Sequence, residues 1–205
     1  MRHKNVMKKK SVSRLEQKAE IRTGQDTELI FRIKEGDENG LGELVDRYQK
    51  RIMSVAYKIT GDWHAAQDIA QEVFMTLMEK IDTFDPERSF FSWIYRITVN
   101  RSIDYLRKQG REQITFNEKS LYTAVAETSE QLMIKSEMRK KVQKVLGRLP
   151  LQYRIALVLR DIESISMLRI SEILDLVPAT ARWRVFQARK LFREIWEKEG
   201  EDYEL

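Results

Sequence analysis

Placed on a helix at about 100° per residue, Arg96, Asn100, Arg101, Arg107 and Lys108 fall on one arc of the stretch FDPERSFFSWIYRITVNRSIDYLRK, Phe84 to Lys108. Trp93 falls near the middle of the same arc. An indole among cations costs hydrophobic free energy unless something flat and anionic lies on it, and unstacked nucleic-acid bases with their phosphates meet that description. A buried tryptophan beside solvated charges fits this stretch equally well. A second such helix near the C-terminus tips the balance, because Arg182, Trp183, Phe186, Gln187, Arg189, Lys190 and Arg193 again share one arc.

Other chemistry is hard to build from this chain. Cysteine is absent, and the two histidines are His3, in a basic N-terminal stretch, and His64, beside Trp63. There is no His/carboxylate spacing suited to a metal, no glycine-rich phosphate loop and no nucleophile motif. The expectation is a binding protein, not an enzyme, with no cofactor and no metal.

The elements that must position the two surfaces are helical. Of 205 residues 8 are Gly and 3 are Pro, and apolar residues recur at helical spacing throughout, so an all-α protein is expected. No apolar run approaches the ~18 residues of a membrane span, and MRHKNVMKKK lacks the apolar core of a signal peptide, so the protein is read as cytoplasmic, with no membrane insertion. The lack of cysteine fits a reducing compartment.

The net charge of +5 hides a segregation. Residues 1–25 sum to +6, Asp62 to Glu87 to −6, Arg88 to Arg111 to +5, and Pro178 to Arg193 to +5 with no acid at all. Two basic elements far apart in sequence suggest two contacts with one polyanion, and the acidic element between them suggests a different partner.

In chain order, residues 1–25 read as a disordered basic tail. Asp26 is expected to cap a short helix through Lys34 that Gly36 closes, and Asp37 to cap a longer one, Glu38 to Thr60, ended by Gly61. Gly40 and Gly42 weaken its first turns by up to about 1 kcal/mol each. From Asp62 a helix buries Trp63, Ala66, Ile69, Val73, Phe74, Leu77, Met78 and Ile81, leaving Asp68, Gln71, Glu72, Met75 and Glu79 on the other side, for which plain solvated surface is the simplest reading. Pro86 and Ser89 break and restart the chain before the aromatic helix, whose Phe91, Tyr95, Val99, Ile103 and Leu106 face a core.

Periodicity fails from Gln109 to Glu127, a linker of about 20 residues that lets its flanks move independently. Thr128 and Gln131 form a capping box for a helix to Gly147 with Leu132, Met138, Val142, Val145 and Leu146 inward. After Pro150, LQYRIALVLRDIE is the centre of a second bundle. Ser166 caps a short helix, a turn falls at Asp175–Val177, and Pro178 opens the next helix, which is the form of a helix-turn-helix.

Together these stretches resemble a bacterial RNA polymerase sigma factor of the sigma-70 family, extracytoplasmic function (ECF) group. DTELIFRIKEGD…LVDRYQKRIMSVAYKITGDWHAAQDIAQEVFMTLMEKIDTFDPERSFFSWIYRITVNRSIDYLRK is similar to that family's domain 2, and LGRLPLQYRIALVLRDIESISMLRISEILDLVPATARWRVFQARKLF to its domain 4. No residues are left over for the extra domains of housekeeping sigma factors. The resemblance implies two small helical bundles joined by a flexible linker: a tail over 1–25, domain 2 over 26–109, the linker over 110–128, domain 4 with its helix-turn-helix over 129–198, and a tail over 199–205. It implies that Asp68, Gln71, Glu72 and Met75 dock on the clamp coiled coil of core RNA polymerase. It places minus-10 reading and melting of promoter DNA on Phe90, Trp93, Arg96, Asn100 and Arg107, with the loop Asp85–Ser89 receiving a flipped-out base. It places minus-35 reading on Thr180, Arg182, Trp183, Arg184, Gln187 and Arg189. Arg182 and Gln187 would read base edges, and Arg184 and Arg189 would hold phosphate. An anti-sigma factor is a further implied partner.

The chain departs from the family at the turn, where Asp175 and Val177 stand in place of the usual Gly and capping Ser. It also departs at Trp183, commonly a small polar residue, and at Met167 and Leu168. Val177 cannot cap, so the recognition helix is expected to be less well anchored at its start. The alternative function is a stand-alone helix-turn-helix regulator that binds DNA without polymerase.

Overall fold

Short acceptor side chains stand where the sequence asks helices to begin, and they accept the amide hydrogens that a first turn leaves unpaired. Asp37 accepts from Asn39 N at 2.9 Å, Asp62 from Ala65 N at 3.1 Å, Ser89 from Ser92 N at 3.3 Å and Ser166 from Arg169 N at 3.4 Å. The computed structural model describes residues 24–110 and 130–201. These residues form eight helices and no strand: α1 (24–34), α2 (Glu38–Thr60), α3 (Trp63–Lys80), α4 (Phe90–Lys108), α5 (Glu130–Arg148), α6 (Leu151–Leu157), α7 (Met167–Leu174) and α8 (Pro178–Glu201). A 3-10 turn, Ile81–Thr83, extends α3, and a wide π turn, Val158–Ile162, extends α6. The all-α expectation holds. Nearly all of the N-terminal tail, most of the expected linker and the Thr128 cap lie outside the described residues.

Helices α1–α4 make the first bundle. Leu44, Ile52, Val55, Ile59, Ala66, Val73, Leu77, Ile94, Tyr95, Val99 and Leu106 form its centre, each at most 1% exposed. Asp26 differs from expectation. It lies inside α1 and caps nothing; it is 1% exposed, accepts a hydrogen bond from Tyr48 Oη and pairs with Arg47 at 2.6 Å. Burial beside that carboxylate pushes the Tyr48 phenol far above its ordinary range, so it stays a donor. Gly40 is also more than a weak helix former, since a Cβ there would stand 3.0 Å from Ile33 and 3.4 Å from the Leu29 carbonyl where α1 crosses α2.

The second bundle, α5–α8, buries Ile155, Ala156, Leu157, Val158 and Leu159 as the apolar run after Pro150 requires, together with Val145, Leu146 and Leu149 before it. Met138, expected inward, is 52% exposed. Glu199, near the end of α8, is buried and meets Lys144 at 2.7 Å and Arg148, both from α5, which hold its carboxyl below the usual range.

The bundles touch each other. Ile155, Leu159, Ile165, Ile170, Ile173 and Ala181 belong to the same buried cluster as the core of the first bundle. The junction is Arg154, fully buried. Its guanidinium donates to Leu146 O at 2.9 Å, Gly147 O and Leu149 O at 3.0 Å, and, across the junction, Ile59 O of α2 at 2.9 Å. Those acceptors include carbonyls at the end of α5 that have no partner within a helix. Burial pulls the guanidinium down to about 10, so it remains a cation at neutral pH. Replacing Arg154 with Leu removes all four of these bonds from buried carbonyls, leaving Leu146 O only the bond from Leu149 N at 3.2 Å, and is expected to cost about 3–5 kcal/mol in urea denaturation. Arg154→Lys should recover little of that, because one ammonium cannot reproduce the planar fork.

Candidate nucleic-acid interface

The first surface is carried by α4 and the loop before it. Lys34 of α1 donates to Asp82 O at 3.0 Å and Phe84 O at 2.9 Å, which fixes the start of that loop, and Asp85 turns it by accepting from Glu87 N at 3.0 Å. Lys34 could not be picked out from the sequence, since its acceptors lie about 50 residues away. Trp93 is partly exposed, tilted against Phe84 and Phe90 with ring centroids 5.1 and 5.8 Å away. Phe90, expected at the DNA surface, is 1% exposed and packs edge-on to Tyr48 and Phe84. It is a core residue that supports Trp93, because the buried arc of α4 takes in Phe90, Ile94 and Thr98 as well as Tyr95, Val99 and Leu106. Asn100 and Arg107 are exposed, the latter 3.5 Å from Asp104. Arg96 donates to the Glu172 carbonyl and lies 3.6 Å from Asp175, both from the second bundle.

On α3, Asp68, Gln71 and Glu72 are exposed and Met75 is 56% exposed. Met78, assigned to the core from its spacing, joins them at 53%. Arg101 of α4 pairs with Glu72 at 3.4 Å, so the cationic and acidic surfaces meet along one edge.

The second surface is the helix-turn-helix. Asp175 takes a left-handed backbone, φ 54° and ψ 52°, and closes α7 with two bonds, Asp175 N to Glu172 O at 3.4 Å and Leu176 N to Ser171 O at 2.9 Å. This is the Schellman arrangement that glycine usually supplies. Val177 is 65% exposed. On α8, Arg182 is exposed, Trp183 is 51% exposed and leans on Tyr153 at 6.1 Å, and Thr180 and Gln187 are partly buried. Phe186, left out of the expected reading set, is 65% exposed on the same face. Its place among the cations was legible in the periodicity. Arg189 is engaged by Asp161 through two bonds of 2.8 and 2.5 Å that raise its pKa. Arg184 turns away from this face. With Arg96, Asn100, Gln152 and Asp175 it lines a cavity of about 530 Å³ between the bundles.

Among the described residues no group of three or more His, Asp or Glu could hold a metal ion, and no helix is long and apolar enough to cross a membrane. What the arrangement offers is two cationic, aromatic-bearing surfaces and one acidic, methionine-bearing surface.

Comparison with known proteins bears on both bundles. Residues 44–112 match the family model of sigma-70 region 2, and residues 139–192 that of sigma-70 region 4. The ECF RNA polymerase sigma factor SigW of Bacillus subtilis (strain 168) is 32% identical over 176 residues, 80% of this chain and 93% of the relative. The ECF RNA polymerase sigma-E factor of Escherichia coli (strain K12) is 32% identical over 176 residues, 80% and 91%. Among solved structures, CnrH in complex with the cytosolic domain of CnrY matches with TM-score 0.65 at 21% identity, covering 84% of this chain and 97% of that one. The sigma factor RpoE in complex with the anti-sigma factor NepR from Bartonella quintana matches with TM-score 0.60 at 20% identity, covering 76% and 96%. With both bundles matched in order and relatives aligned over nearly their whole length, the chain belongs to the ECF group of the sigma-70 family and directs RNA polymerase in transcription initiation, not as a stand-alone regulator.

Proposed function

We propose that this sigma factor brings core RNA polymerase to one class of promoter, reading its minus-35 element through α8 and capturing an unstacked minus-10 base at α4. The observation that carries the proposal is the exposure of Asp68, Gln71, Glu72 and Met75 on a bundle whose next helix is cationic. A protein that binds DNA has no use for such a face toward DNA, so it suits a protein partner, here the clamp of the polymerase. Trp93, steadied by Phe84 and Phe90, receives the base, with Asn100 and Arg107 farther along the same helix, and stacking of ~1–3 kcal/mol per base offsets part of the cost of strand opening. On α8, Arg182 and Gln187 read base edges, with Trp183 and Phe186 against apolar groups in the groove. Arg189 contributes to phosphate binding once it leaves Asp161. The family is not an enzyme family, and the promoter work is done in the cytoplasm. An anti-sigma partner is part of the proposal, supported by the solved relative RpoE, which is in complex with the anti-sigma factor NepR.

Asp68→Lys reverses a charge at the proposed polymerase face and should weaken holoenzyme assembly about tenfold or more, read by fluorescence anisotropy of labelled protein titrated with core enzyme. Unchanged affinity would remove the face from the docking surface. Asp161→Asn frees Arg189, so the slope of log affinity against log salt for a minus-35 duplex should steepen by about 0.9 in the holoenzyme. A thymine methyl packed on Trp183 should be worth about fourfold in affinity, lost when that thymine is replaced by uracil and absent in Trp183→Ser.

A further inference from the structure

The loop assigned to the minus-10 base owes its starting geometry to a residue on another helix. Asp82 O and Phe84 O, two residues apart where α3 has ended, both accept from the Lys34 ammonium of α1, at 3.0 and 2.9 Å. Hydrogen bonds from an ionised donor are about twice as strong as neutral ones. Because the peptide group is planar, holding the Phe84 carbonyl also holds the Asp85 amide, and with it the direction in which the chain leaves Phe84. Asp85 then folds the loop on itself, accepting from Glu87 N through Oδ1 and from Arg88 N through its carbonyl, each at 3.0 Å.

Phe84 carries the effect to the site. It is 6% exposed, and its ring centroid lies 5.1 Å from that of Trp93 and 5.7 Å from that of Phe90, so drift of its backbone moves the support of the Trp93 indole. Lys34 is itself projected from a helix held at both ends. Near the start of α1, Asp26 is bonded to Arg47 and Tyr48 of α2; near its end, Arg32 pairs with Asp37 at 2.7 Å and with Glu43 at 2.9 Å. Stability alone does not call for this tie, since Asp82 is exposed and water could satisfy its carbonyl at little cost. What water cannot supply is one fixed position. A loop that must close on a single flipped base gains affinity by being ordered before the base arrives.

We infer that Lys34 is a positioning residue for the captured minus-10 base, setting the loop 84–89 and the support of Trp93 so that one base is accepted over the other three. This rests on the assignment of base capture to Trp93 and that loop. Lys34 acts through Phe84 and Asp85. The segment it holds carries Asp82, Asp85 and Glu87 against Arg88, so it does not grip the strand by charge, and discrimination falls to its shape and its hydrogen-bonding groups.

Two variants separate the ammonium from the stem. Lys34→Met keeps an unbranched apolar chain and removes the donors, whereas Lys34→Arg keeps donors for both carbonyls. In the free protein, hydrogen exchange at the Glu87 and Arg88 amides should be about tenfold faster in Lys34→Met, with amides in the middle of α4 unchanged. Base preference is read with holoenzyme on a promoter found by run-off transcription of genomic fragments, supplied as pre-melted templates that differ only in the flipped base and compete with one another. Pre-melting removes the cost of strand opening, so the result reports reception of the base. Wild type and Lys34→Arg should favour one base, and in Lys34→Met that preference should fall about tenfold while affinity for core enzyme is retained. Unchanged exchange at Glu87 and Arg88, or faster exchange spread through α4, would overturn the proposal. So would an unchanged base preference in Lys34→Met where Trp93→Ala abolishes it. If Trp93→Ala leaves the preference intact, the assignment of base capture fails and the proposal falls with it, whereas the exchange data still report whether Lys34 orders the loop.

Discussion

A single buried guanidinium sets what the rest of the structure can do. Arg154 gathers the carbonyls at the end of α5, and one of α2, into a hub whose four bonds no apolar residue could supply. Because one of its acceptors belongs to the other bundle, the residue that completes the second bundle also seats it on the first. Burying a cation this way is costly, and its return is orientation: a planar fork admits few arrangements of its acceptors. The neighbouring apolar residues, Ile155 and Leu159, then join the common core.

Helix boundaries and caps were largely readable from the chain, since they depend on local chemistry. Asp37, Asp62, Ser89 and Ser166 cap as their side chains dictate, and Gly61 ends α2 at φ 72°. What could not be read is what distance in sequence conceals. Asp26 has the right type and place for a cap, but Tyr48 and Arg47, more than twenty residues on, claim it. Phe90 and Trp93 lie close together on α4, and only the packing of Phe84 and Tyr48 shows that the first is core and the second its partly exposed neighbour. Met78 and Met138 match an apolar period and still face outward, because periodicity gives a direction and not the extent of the surface that covers it.

The candidate site was legible as residue types on arcs, and least legible where one bundle meets the other. Asp175 stood out in sequence as a residue standing where the family usually has glycine. In the structure it satisfies the left-handed closure of α7 and also approaches Arg96. Arg184, grouped with the minus-35 residues by position, faces the cleft instead. Neither relation has a local signal, since each is a contact between stretches about 80 residues apart.

The wide turn at Val158–Ile162 has an evolutionary consequence. Its extra residue places Asp161 and Glu163 so that one reaches Arg189 on α8 and the other Lys58 on α2. A one-residue deletion there would rewind the segment to an ordinary helix, with little loss of helical content, and swing the two acids out of register with their separate targets. Such an indel would look silent by circular dichroism while loosening both attachments at once.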